Sequence, residues 1–226
     1  MKKILKIAFA LSLVFVMAFS FAACSEKNTN ADTDDTDITA EENSSKVDTA
    51  DDDDIDITAE SGDYTAVIDI ENYGKITLEL YTDEAPKTVA NFVKVAKSGF
   101  YDGLTFHRIM EGFMMQGGDP EGTGMGGSDE TIVGEFSDNG YENSISHTRG
   151  TISMARNGYD YNSASSQFFI VHKDSTFLDG QYAAFGRVTD GIDVVDKVCE
   201  DSQPTDNNGT IPKSAQPVIK SITIVE

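Results

Sequence analysis

Two seven-residue stretches constrain this chain's fold more than any other feature. Tyr64–Ile70 sets Ala66, Ile68 and Ile70 on one side and Thr65, Val67 and Asp69 on the other. Lys75–Tyr81 repeats the pattern, with Ile76, Leu78 and Leu80 against Lys75, Thr77 and Glu79. Side chains on a strand alternate between its two faces, so each stretch reads as a strand with one buried face. Tyr73-Gly74 marks a turn between them, and together they predict an antiparallel hairpin.

A helix follows. Asp83-Glu84 places negative charge at its start, and Pro86 suits the first helical position. Val89, Phe92, Val93 and Ala96 recur at helical spacing and Gly99 closes the segment. This predicts a helix packed on the sheet. Tyr101-Asp102-Gly103 is a turn, and Thr105–Ile109 and Phe113–Gly117 read as short strands joined through Glu111-Gly112. Gly150–Ala155, Gln167–Val171, Ala183–Val188 and Val218–Val225 read as further strands. Gly191–Cys199 fits a short amphipathic helix, with Ile192, Val195 and Val198 on one side and Cys199 as a small packed thiol. The glycines at 122, 124, 126 and 127 superficially suggest a phosphate cradle, but no strand-to-helix step or Lys-Ser/Thr pair follows. A flexible loop over Asp119–Ser128 is expected instead. The count is eight or so strands with two helices in one domain from 63 to 226. Many short strands with turn signals imply a mainly β barrel or sandwich.

The first 62 residues differ in character. Lys2, Lys3 and Lys6 precede an apolar run from Ile7 to Phe21, broken only by Ser12 and Ser20. That run is shorter than the ~20 residues needed to span a bilayer and suits a signal peptide over residues 1–23. Ala22-Ala23-Cys24-Ser25 resembles a bacterial lipobox, with Phe21 where the pattern prefers an aliphatic residue. The expectation is lipidation of Cys24 and an extracytoplasmic protein anchored to the cell membrane. The alternative is cleavage after Ala23 with Cys24 left free. Residues 24–62 then form an acidic tether containing a repeat, Asp34–Glu41 and Asp53–Glu60. Low hydrophobicity and high charge predict disorder there. The chain's net charge of -22 argues against nucleic-acid binding, which needs clustered Lys/Arg. Two cysteines without a CxxC or Cys/His cluster argue against a zinc site.

Phe106–Asp119, FHRIMEGFMMQGGD, carries the chemistry. A cation (Arg108), an aromatic wall and an amide (Gln116) lie within nine residues, which suits a groove that holds a peptide. Together with APKTVANF, SMAR, SSQFFI, FLDG and FGRV in the same order, the motif resembles cyclophilins across residues 64–226. The resemblance implies a closed eight-stranded antiparallel β-barrel capped by two α-helices, and peptidyl-prolyl cis-trans isomerase activity without a cofactor or metal. It implies Arg108 as the catalytic cation and Phe113, Met114, Phe169 and Leu178 as the proline pocket. Gln116 would bond the substrate backbone and orient Arg108, Ala155 and Arg156 would form the strand edge where the peptide lies, and His107 would border the site. Without the resemblance, Phe113, Met114 and Phe169 would pass for ordinary core. Phe177 and Tyr182 stand where the eukaryotic archetype has tryptophan and histidine. Loss of the indole donor predicts weak cyclosporin binding. Arg156 replaces the usual asparagine, and its charge would favour acidic residues flanking proline. The Arg156–Ser166 loop is about two residues longer than the archetype's. Expected partners are proline-containing polypeptides, namely unfolded exported proteins, with the protein a monomer. A peptide-binding module or holdase with incidental isomerase activity is the alternative. A hydrolase could be drawn from His107, His147 or His172 with nearby serines, but no GxSxG elbow supports it.

Overall fold

The computed structural model describes residues 64–225. The segments expected as a signal peptide, a lipidated Cys24 and an acidic tether lie outside the described residues. The hairpin forms as the alternation requires: β1 (Tyr64–Ile70) pairs β2 (Gly74–Leu80), with Ile68 opposite Ile76. Helix α1 (Pro86–Lys97) follows, then β3 (Thr105–Met110), β4 (Met114–Asp119), β5 (Thr151–Met154), β6 (Phe168–Val171) and β7 (Ala184–Asp190). Helix α2 (Ile192–Asp201) and β8 (Ile219–Val225) complete the domain. All ladders are antiparallel, and the strand order is β3-β4-β6-β5-β7-β2-β1-β8.

That order has two ends, which corrects the expected closed barrel to an open, curled eight-stranded sheet. β3 and the start of β8 meet at one bridge, Thr105 with Val218, flanked by Ile219 N–H donating to the Leu104 carbonyl and by Gly103 and Phe106 N–H donating to the carbonyls of Ile219 and Pro217. Beyond the bridge, β3 runs on past Pro217, which has no N–H to extend a ladder. The segment before β8 covers the edge instead. Ile109 N–H donates to Gly209 O and Ile211 N–H to His107 O. The edge is thus satisfied without a closing ladder.

Val89, Phe92, Val93 and Ala96 of α1 are buried in the main core. Phe92 is its centre, with ring centroids 5.2–5.6 Å from Phe185, Tyr101 and Phe168. The first turn of α1 is not capped by Asp83 or Glu84. Glu84 accepts from Ser144, while the buried Glu135, 47 residues away from Thr88, takes the helix N–H groups of Lys87 (3.0 Å) and Thr88 (2.8 Å) and the Thr88 hydroxyl (2.6 Å). A carboxylate there meets both the orphan donors and the positive end of the helix dipole.

Candidate active site

Arg108 on β3 lies opposite Gln116 on β4, and Gln116 lies opposite Phe169 on β6. Directly paired residues share a face, so three adjacent strands deliver a cation, an amide and a phenyl ring in one row. Alternation divides β4 and β6 between two clusters. Met115, Phe168 and Ile170 enter the main core, while Met114, Phe169 and Val171 form a second cluster with Leu178 on the opposite face. A cavity of about 150 Å³ opens over this second cluster, lined by Arg108, Phe113, Gln116, Ala155, Arg156, Phe169, Leu178 and Tyr182. It is well below the ~300 Å³ at which pockets for drug-sized ligands begin, and suits a single ring.

Eight of the eleven residues expected at the site line this cavity. Met114 lies buried beneath it, with its sulfur 3.7 Å from Arg108 Nη1. Phe177 is 66% exposed and stacks on Phe113 at 5.6 Å. His107 is not brought to the cavity. It is buried, neither ring nitrogen has a hydrogen-bond partner among the described residues, and Gly124 covers it. Burial lowers its pKa, against the pull of Asp119 and with the push of Arg108, so it is a neutral core group.

Arg108 is held from several sides. Its Nε donates to the Asn208 carbonyl (2.7 Å), Nη1 donates to Gln116 Oε1 (3.2 Å), and the guanidinium carbon stands 5.8 Å from the Phe113 ring centre. Burial lowers its pKa, with Tyr182 and Asp206 opposing, and it stays a cation. Asn208 sits in a turn fastened by Asp206, whose carboxylate accepts from the N–H groups of Asn208 and Thr210 and from the Thr210 hydroxyl. The orientation of Gln116 is set from further out. Gln167 Nε2 donates to the carbonyls of Gly124 (3.1 Å) and Gly126 (2.7 Å), and Gln116 Nε2 donates to Gln167 Oε1 (2.9 Å). Carbonyls only accept, so the two glycines fix the Gln167 amide, which fixes Gln116, which presents its oxygen to Arg108.

The glycine segment is itself fixed, contrary to the expectation of a flexible loop. The buried Asp119 accepts from the N–H groups of Glu121 (2.8 Å), Thr123 (2.9 Å) and Gly124 (2.6 Å). Desolvation pushes its pKa up, but these donors together outweigh it and hold the carboxyl below its usual range. Sequence reasoning assigned no role to Asp119, Gln167 or Asn208. An Asp before several glycines is an Asx-turn signal that pointed to the first; Asn208 contacts a residue 100 positions away and left no local trace.

Behind Phe169 lies a Ser-His-Asp arrangement. His147 Nδ1 is 2.8 Å from Asp179 and Nε2 is 3.0 Å from Ser153 Oγ, while the ring stacks on Phe169 at 5.9 Å. Burial lowers the His147 pKa despite Asp179, so the neutral ring donates from Nδ1 and accepts from Ser153. Ser153 is wholly buried and cannot reach a substrate, so the arrangement braces the pocket floor and gives no support to a hydrolase.

A cavity sized for one ring, walled by Phe113, Phe169 and Leu178 on one part and by a fixed guanidinium and an amide on another, opens on this face of the antiparallel sheet and makes it the candidate site of a mainly β domain. The comparisons with known proteins give its family. The family described as "Cyclophilin type peptidyl-prolyl cis-trans isomerase/CLD" matches residues 65–225, and the chain belongs to this family. Peptidyl-prolyl cis-trans isomerase B of Bacillus subtilis (strain 168) is 49% identical over 124 residues, which are 55% of this chain and 82% of the relative. Peptidyl-prolyl cis-trans isomerase-like 2 of Gibberella zeae is 42% identical over 138 residues, 61% of this chain but only 23% of that longer protein. A Cryptosporidium parvum cyclophilin type peptidyl-prolyl cis-trans isomerase, solved in the presence of the dipeptide Ala-Pro, superposes with a TM-score of 0.63 at 31% identity, covering 72% of this chain and 99% of that one.

Proposed function

We propose that the domain catalyses rotation about X–Pro bonds by hydrogen bonding from Arg108 to the twisted prolyl amide. The barrier to rotation, ~18–20 kcal/mol, is amide resonance. In the twisted state the proline nitrogen loses conjugation and becomes a better acceptor. A guanidinium already in position stabilises that state more than either planar one, without a covalent step. Phe113, Phe169 and Leu178 grip the pyrrolidine ring while the acyl side turns. The observation that carries this reading is the fixing of Arg108 by Asn208, Gln116 and Phe113 beside the cavity. A holdase would need the apolar surface but no immobilised cation. The structure solved with Ala-Pro supports a prolyl occupant in a related protein.

Loss of one charge-assisted hydrogen bond of about 1.5–3 kcal/mol lowers the rate roughly 10- to 150-fold, so Arg108→Ala should lose kcat/KM by that factor in a peptide isomerisation assay. Catalysis unaffected by the change rejects the mechanism. We further propose that the enzyme acts on exported polypeptides outside the cytoplasm, tethered through lipid on Cys24. The signal-like run before Cys24 supports this. A Cys24→Ala form that stays equally membrane-bound would count against it.

A further inference from the structure

We infer that this site selects prolyl peptides carrying an acidic side chain close to the proline, and that Arg156 is the residue that selects them. The inference rests on the isomerase reading and names the substrate class for it. Residues 64–226 carry a net charge of -12, yet the groove has the opposite sign. Beside the proline cavity lies a second cavity of about 470 Å³, and Gln116, Ala155 and Arg156 line both. Arg108 and Arg156 are the only charged side chains in the two linings, and neither has a carboxylate partner among the described residues. Arg108 is committed to the amide; Arg156 has no part in that chemistry.

Arg156 is nonetheless held as firmly. Its guanidinium carbon lies 4.8 Å from the ring centres of both Tyr161 and Tyr182 and 5.3 Å from that of Phe136. Its Nε donates to the Gln181 carbonyl (2.9 Å) and Nη1 to the Asn157 carbonyl (2.8 Å). An arginine has five N–H donors, so three remain without a protein partner among the described residues. A guanidinium held between aromatic rings with its outer fork free is organised in advance for a carboxylate, and little side-chain entropy is lost on binding. A chain whose proline fills the first cavity must pass Arg156 to enter the second. At about 3.3–3.6 Å per extended residue, a side chain one to three positions from proline comes within reach.

The test is a protease-free exchange measurement by NMR on matched peptides with Glu, Ala or Lys at each of the three positions before proline and the three after it. At one of these positions the wild-type domain should turn over the Glu peptide about fivefold or more faster, in kcat/KM, than the Ala peptide, with Lys slowest. The ratio should shrink as salt is raised, because the screening length falls to about 3 Å at 1 M. In Arg156→Gln the Glu-to-Ala ratio should fall toward one. The ratio is read rather than the rate, so a general loss in the variant does not bear on the result. Glu and Ala peptides within twofold at all six positions, or a preference that persists in Arg156→Gln, overturns the proposal. The first of these needs no variant to fold. If the Ala peptide is not isomerised at all, the isomerase reading fails by itself, and the Glu-to-Ala ratio of affinities from shift titration then decides the selectivity.

Discussion

Gln167→Leu tests how Arg108 is aimed. The substitution removes three hydrogen bonds, two to the Gly124 and Gly126 carbonyls and one from Gln116. Each contributes about 0.5–1.5 kcal/mol to stability, and water from the adjoining cavity can replace part of that, so the fold should lose only about 1–2 kcal/mol. Catalysis should lose more than this site's distance from the chemistry suggests. Without Gln167, the Gln116 amide can turn its nitrogen toward Arg108, donor against donor, and the guanidinium keeps only the Asn208 carbonyl as a strong acceptor. If this forfeits half of a 1.5–3 kcal/mol transition-state hydrogen bond, kcat/KM falls roughly 4- to 13-fold. The discriminating assay is a double-mutant cycle with Gln116→Ala, read in kcat/KM by exchange NMR. Residues acting through one another give non-additive losses, with a coupling of about 1 kcal/mol expected here. Gln167 also lines the second cavity and could touch substrate directly. An additive cycle would show that it acts by its own contact, and would refute the relay.

Three further outcomes are expected. Glu135→Gln puts an amide N–H against one of the helix donors of Lys87 or Thr88 and removes the charge at the α1 N-terminus; a loss of about 1–3 kcal/mol should appear in urea denaturation, and an unchanged midpoint would refute the capping role. Stability should fall on acidification from neutral pH. His107 and His147 have pKa values lowered by burial, so below about 6.5 the unfolded chain binds protons that the native state refuses, and each can take away up to about 1.4 kcal/mol per pH unit until its folded pKa is reached. Asp119 and Asp179 have depressed pKa values and add a second loss below about pH 4, so a denaturation midpoint flat from pH 7 to 5 would contradict the neutral, buried histidines. Cyclosporin should inhibit weakly, because Phe177 at the cavity mouth has no N–H to donate, and nanomolar inhibition would refute this.

Local physics made much of this molecule legible. Alternation marked β1, β2 and β8, short runs between turn residues marked the other five strands to within a few residues, and Arg108, Phe113 and Gln116 line one cavity. What could not be read depends on contacts far apart in the chain. Glu135 caps a helix 47 residues away, Asn208 steadies Arg108 across 100 residues, and the open seam between β3 and β8 follows from where Pro217 falls in space. No periodicity encodes such pairings.

His107 is the instructive intermediate case. Sequence reasoning set it beside Arg108 at the site, but neighbours on a regular strand face opposite ways. Alternation from Arg108 therefore sends His107 inward, and would send Phe106 outward to the groove. Instead Phe106 and His107 are both buried, because the β3–β4 register shifts between Phe106 and Arg108. That bulge had a visible trace. Gly117 lies opposite it, where an added Cβ would stand 2.8 Å from the Thr105 carbonyl oxygen and 2.9 Å from the Phe106 ring. A glycine inside a strand signals such a close approach. The first glycine of QGGD is thus the local record of the irregularity that lets Phe106 enter the core while Arg108, two residues on, faces the substrate.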